Sequence, residues 1–146
     1  METTLSIIAI VISVISVGFA LYTFLWTAQR DRKQATLDAY NTLQNEVFDR
    51  INLYKPAEIS EIVKHPTSKE YNDVAALIAR IEHFCVGVNK RIYDKRTVYE
   101  LAHGYFDGPK LRSRIGPMID RKNSRSDYDY YTNTHKVLAW MDKKAN

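Results

Sequence analysis

LSIIAIVISVISVGFALYTFLW, residues 5–26, carries no charge from end to end. As a helix rising 1.5 Å per residue it covers about 33 Å, enough for a hydrocarbon core of about 30 Å. The expectation is a transmembrane helix. A cleaved signal peptide fits less well, because the preceding MET has no basic residue, the apolar run is too long, and no small-x-small cleavage site follows. Tyr22 and Trp26 stand where an aromatic belt would lie, and Arg30, Arg32 and Lys33 come next. The positive-inside rule then places the N-terminus outside and the rest of the chain in the cytoplasm. The chain divides into an extracytoplasmic tip (residues 1–4), a transmembrane helix (5–27) and a cytoplasmic helical domain (28–146).

Within the span, Ser6, Ala9, Ser13, Ser16, Ala20, Thr23 and Thr27 succeed one another at alternating spacings of three and four. Small residues on one stripe let membrane helices approach closely, so a homo-oligomer packed along this seam is expected. The hydroxyls would otherwise line a narrow polar path between copies.

Beyond the span, residues 30–54 hold no glycine or proline, and Leu37, Tyr40, Leu43, Val47, Ile51 and Tyr54 recur at helical spacing. A second helix is expected to continue the first, limited by Pro56. A short helix follows over 57–64, then a longer one opened by a Thr67/Glu70 capping box. Its inner face is Tyr71, Val74, Ile78, Ile81, Cys85 and Val88, widened by Leu77 and Phe84. Asp94 is placed to cap a helix carrying Val98, Leu101, Ala102 and Tyr105, which stops near Asp107-Gly108. Gly116-Pro117 should interrupt the segment from Leu111 to Ile119. After a polar loop over 123–126, Asp127 would cap a last helix with Tyr130, Thr134, Val137, Leu138 and Met141 on one side. No segment alternates as a strand, so the expected fold is all-α: one transmembrane helix continuing into a small helical bundle.

Catalysis finds no support. The four histidines make no HxxxH or HExxH pattern, and no nucleophile elbow, Walker loop or dinucleotide fingerprint is present. Glu82 and His83 are adjacent on a helix and so diverge by about 100°; an arginine is the expected partner here. Cys85 is the single cysteine, which rules out an internal disulfide and reads as a buried apolar residue. No metal or cofactor is expected.

Charge says more. The net charge is +4, and residues 90–125 hold ten Lys and Arg against four acids. An anionic partner is implied. Lys90, Arg91, Lys95, Arg96, Arg112, Arg114, Arg121 and Lys122 are the candidate phosphate contacts, with Tyr130 and Tyr131 as rings for a stacked base. Anionic headgroups of the bilayer are an equally natural neighbour for so short a tether. Duplex DNA is not expected, since no recognition module is present.

The anchor with its basic stop, followed by IEHFCVGVNKRIYD and KLRSRIGPMIDRKNSRSDYDYY, resembles the bacterial family of domain of unknown function 4760 over about residues 30–142. The points of likeness are Arg80-Ile81-Glu82, Gly87-Val88, Tyr93-Asp94, Pro117 with Ile119, and Arg121 ahead of the tyrosines. That resemblance implies a bacterial inner-membrane topology and a helical fold, and no activity. In plan alone, the chain is similar to small membrane effectors of phage defence, some CRISPR-associated, that oligomerise and answer cyclic oligoadenylates. Together these features lead to a non-enzymatic membrane sensor-effector for an anionic ligand, such as a cyclic oligonucleotide. The alternative is a tethered adapter holding a protein partner at the membrane.

Overall fold

The structure, a computed structural model, describes residues 2–106, 109–124 and 129–145. All of its regular elements are helices. Helix α1, Glu2–Leu43, passes without a break into a π-helical turn, Gln44–Phe48, and a last α-turn, Asp49–Ile51. There follow α2 (Pro56–Ile62), α3 (Lys69–Asn89), α4 (Lys95–Phe106), α5 (Pro109–Asn123) and α6 (Thr132–Ala145). The expected continuity of the first two segments is present. The first part of α1 is long and apolar enough to cross a membrane, with a mean hydropathy of 2.5 in its most apolar window and none of that window buried.

The core begins where that apolar part ends. Tyr40, Leu43, Val47, Phe48 and Ile51 turn inward from the foot of α1 and meet Val74, Ile78, Ile81 and Cys85 of α3. The π-turn has poorer hydrogen-bond geometry than an α-turn. Burying Val47 and Phe48 side by side offsets that cost. Around them lie Val98, Ala102 and Phe106 of α4, Leu111, Ile115, Met118 and Ile119 of α5, and Val137, Leu138 and Met141 of α6. Helix α6 packs chiefly on α3, and α2 on α5.

Several local expectations are corrected. Leu37 is exposed, and Thr36 is the buried neighbour; its hydroxyl donates to the Arg32 carbonyl at 2.7 Å and accepts from the Asp94 amide at 2.8 Å. The cap of α3 is Ser68 rather than Thr67, because Ser68 takes the extended conformation from which its Oγ reaches the Tyr71 amide at 3.0 Å. Helix α5 runs through Gly116-Pro117. A proline inside a helix costs about 3 kcal/mol, and burial of Leu111, Ile115, Met118 and Ile119 on both sides of it outweighs that. Tyr130 lies exposed ahead of α6, and Tyr131 takes the buried place. Asp94 caps α4 as expected, accepting from the Thr97 amide and hydroxyl at 2.8 Å each. The Asp107-Gly108 stop and the Asp127 cap lie outside the described residues.

The α3–α4 turn is tightly built. Ile92 N donates to Gly87 O at 2.9 Å and Arg91 N to Val88 O at 3.2 Å, a Schellman pair, with Arg91 in the left-handed region at φ 59°. Glycine tolerates that conformation without a Cβ clash, so Arg91→Gly is expected to raise stability in neutral detergent by about 0.5–1 kcal/mol. An unchanged or lower thermal midpoint would contradict this. Gly87 itself admits no side chain: a Cβ there would fall 2.6 Å from Tyr93 Cδ2 and nearer still to Cε2. The Tyr93 ring is held by stacking on Phe84 at 5.2 Å and has little room to retreat. Gly87→Ala should therefore cost about 2 kcal/mol, read as a lowered thermal midpoint.

Candidate functional site

The corner between α5 and α6 is assembled from three elements. The Asn123 side chain at the end of α5 donates to Asp129 Oδ1 at 3.1 Å and accepts from the Tyr130 amide at 2.8 Å. Tyr131 then adopts φ 63°, and the chain turns into α6. From α3, the Glu82 carboxylate reaches across and satisfies the first turn of α6. It accepts from Asn133 N at 3.1 Å, Asn133 Nδ2 at 2.8 Å, Thr134 N at 2.8 Å and Thr134 Oγ1 at 2.7 Å. Burial alone would raise its pKa, but these bonds outweigh burial and hold the carboxyl below its ordinary value. Glu82 is thus a helix cap supplied from a distance, not the arginine partner expected. The neighbouring arginine, Arg80, pairs instead with Glu46 of the π-turn.

Over this frame sit Lys122 and the two tyrosines. Lys122 Nζ lies 5.7 Å from the Tyr130 ring centroid and 5.4 Å from that of Tyr131, and the rings are 6.3 Å apart. They border a cavity of about 290 Å³ together with Ala79, Glu82, Asp129, Thr132 and Asn133. Two buried polar atoms have no hydrogen-bond partner among the described residues: Arg121 Nε and Tyr131 Oη. Buried donors are almost always satisfied, and non-glycine residues in the left-handed region concentrate at functional sites. Both features meet at Tyr131. The cavity is near the small end of ligand pockets, which begin at about 300 Å³.

Of the residues singled out from sequence, Lys122, Tyr130 and Tyr131 are gathered around this cavity, and Arg121 precedes Lys122 on α5 without lining it. Lys90, Arg91, Lys95 and Arg96 lie at and after the α3–α4 turn. Lys95 covers Trp140 at 5.3 Å, and Arg96 pairs with Glu100 at 2.9 Å. Arg112 binds Asp142 on α6 at 2.5 Å, and Arg114 Nε donates to the Tyr54 carbonyl at 3.0 Å, so both fasten the fold. Arg125 and Tyr128 lie outside the described residues. Asn133 and Glu82 were missed as contributors; no local pattern marks a carboxylate that caps a helix some fifty residues later.

A second cavity, of about 320 Å³, opens between α1 and α3 beside the Arg80–Glu46 pair, with Leu43, Val47, Phe84 and Tyr93 in its walls. Cys85 is buried as expected, and burial pushes its thiol up to about 12. Along the apolar part of α1, Ser13, Ser16 and Thr23 donate to the carbonyls of Ala9, Ile12 and Phe19 at 2.8, 2.8 and 2.9 Å, so these hydroxyls are satisfied within their own helix. Ser6, Ala9 and Ala20 are exposed and Thr27 is half-buried.

No curated protein and no solved structure matches the chain. A family model does, over residues 10–140, which takes in most of the apolar run over residues 5–26 and the whole of α2 to α5. The chain therefore belongs to the family described as domain of unknown function (DUF4760).

Proposed function

We propose that this protein is a single-pass membrane sensor. In this reading α1 crosses the inner membrane with its N-terminus outside, and the helical domain binds an anionic, base-bearing ligand at the α5–α6 corner. The observation that carries it is Tyr131 Oη, buried without a hydrogen-bond partner among the described residues, on a residue that lines the same cavity as Lys122 and lies under its ammonium. Those groups supply hydrogen-bond donors for a phosphate, and Tyr130, 39% exposed, offers a ring at the rim for stacking. The cavity's size suits one nucleotide unit at a time, so a cyclic oligonucleotide would be shared among copies arranged about an axis. Helix α6 bears on α3, and α3 on α1, which gives ligand binding a packed route to the span. The chain acts without catalysis in this scheme, as an effector in antiviral defence would.

Calorimetry on the full chain in detergent micelles tests it, against inorganic phosphate, mononucleotides, cyclic dinucleotides and cyclic oligoadenylates. Binding by at least one nucleotide is expected, weakened about tenfold by Lys122→Ala or Tyr130→Ala and falling with added salt. Failure of every nucleotide to bind the folded chain would overturn the reading. Self-association along the small-residue stripe is part of the proposal, and Ser13→Leu with Ser16→Leu should weaken it; an unchanged oligomer would remove that part.

A membrane-tethered adapter is the second reading. It is favoured by the engagement of Arg112 and Arg114 within the fold and by span hydroxyls that need no neighbour. It predicts indifference to the nucleotide panel and a stoichiometric protein partner in native membranes.

A further inference from the structure

The two ends of the helical domain stand at different distances from the span. Arg80 of α3 pairs with Glu46, Phe84 shares a cavity wall with Leu43 and Ala39, and the Asp94 amide is bonded to Thr36. As residue numbers rise along α3 they fall along α1, so α3 runs antiparallel to α1 and its C-terminal end turns back toward the apolar segment. Thr36 lies about 14 Å along the helix axis from Thr27, and the headgroup layer takes up about 5–7 Å of that. What remains, about 7–9 Å, is close to one Debye length at physiological salt.

The α3–α4 turn is therefore the part of the domain nearest the bilayer, and its exposed residues are mostly basic. Lys90, Arg91, Lys95 and Arg96 are exposed around Ile92, which is itself 60% exposed at the tip. The tip is held from both sides, by the Schellman bonds to Gly87 and Val88 and by the Asp94–Thr36 bond. Arg32 and Lys33 join the same neighbourhood. Burial would raise the Asp94 carboxyl, but hydrogen bonds from Thr97 and then the charges of Lys33 and Arg32 hold it below the ordinary carboxylate range.

We infer that the turn over residues 90–94 is a second membrane contact, with Ile92 dipping into the headgroup layer and the surrounding lysines and arginines resting on anionic lipid phosphates of the leaflet through which α1 leaves. Basic residues close to a membrane are drawn to its negative surface, and their long stems let the charge sit at the phosphates while the apolar tip goes deeper. The contact makes the tether two-legged and fixes the domain's orientation on the surface. It rests on the reading of α1 as a span and is independent of the α5–α6 corner.

The test places an environment-sensitive dye on single cysteines in the full chain, reconstituted in phosphatidylcholine vesicles with or without phosphatidylglycerol and containing nitroxide lipids. Buried Cys85 stays unlabelled. Ile92→Cys is the probe, Leu53→Cys, 80% exposed past the far end of α1, is the control, and Ile15→Cys reports on the span. The expected result is quenching at 92 about threefold stronger with phosphatidylglycerol than without it, reduced by salt and by Lys90→Gln with Arg91→Gln. Quenching at 15 with none at 92 beyond that at 53 would overturn the second contact and leave the span standing. No quenching at 15 would remove both. Retention of the signal at 92 in the doubly neutralised variant would also overturn the inference, since the lipid charge would then play no part.

Discussion

Phe48→Ala is expected to cost about 4 kcal/mol, within the range for truncating a fully buried phenylalanine. Phe48 has no solvent exposure. Its ring stacks on Tyr105 at 4.5 Å with an interplanar angle of 7°, and meets Phe106 edge-on at 5.8 Å and Tyr40 at 6.4 Å. Such pairs add about 0.5–1.5 kcal/mol beyond the area they bury, and alanine would remove all three at once. A small domain has about 5–15 kcal/mol in total, so the variant should melt far earlier. The π-turn would also lose its justification, because burying Phe48 is what that wider turn achieves. In detergent the first half of α1 stays helical, so the loss should appear as a low-temperature transition in part of the helical circular dichroism signal. Leu53→Ala, at an exposed site, is the matched control and should move the midpoint little. A Phe48→Ala midpoint indistinguishable from that of Leu53→Ala would show that the junction between α1 and α4 does not hold the domain together.

What could be read from the sequence followed the strength of the local signal. The charge-free run over residues 5–26, the inner face of α3 and the Asp94 cap each rest on a pattern a few residues long, and each appears in the structure. Thr36 could not be found that way. It is polar yet buried because its hydroxyl bridges Arg32 and an amide 58 positions later. Pro117 shows local rules losing to tertiary packing, since the apolar residues on either side of it hold the helix. The left-handed residue at Tyr131 broke the helical phase, and this exchanged the places of Tyr130 and Tyr131. The run of cations over residues 90–125 looked like one cluster because a linear count ignores where helices reverse. Folding sends its first four members to the α3–α4 turn and brings Arg121 and Lys122 to the α5–α6 corner, while Arg112 and Arg114 serve the packing.

Glu82→Gln should destabilise the domain by about 2–3 kcal/mol and flatten its response to acid. The carboxylate accepts four hydrogen bonds at the N-terminus of α6, where the helix dipole also favours negative charge. Glutamine keeps one acceptor oxygen and turns an amide donor toward the remaining donors, so at least two partners lose their bond. The direction with pH follows from the sign of the shift. Because the folded-state pKa of Glu82 lies below the ordinary 4.5, its contribution is complete above that value and is lost as pH falls through the folded-state pKa. Asp94, also lowered, acts in the same direction on the acid side. Thermal midpoints of wild type and Glu82→Gln should therefore differ most at neutral pH and converge as the pH falls through the lowered folded-state pKa of Glu82. Parallel curves down to low pH would mean that ionised Glu82 is not what anchors α6. The corner would then have lost its foundation, because Tyr131 and Lys122 keep their places only while α6 starts where Glu82 holds it.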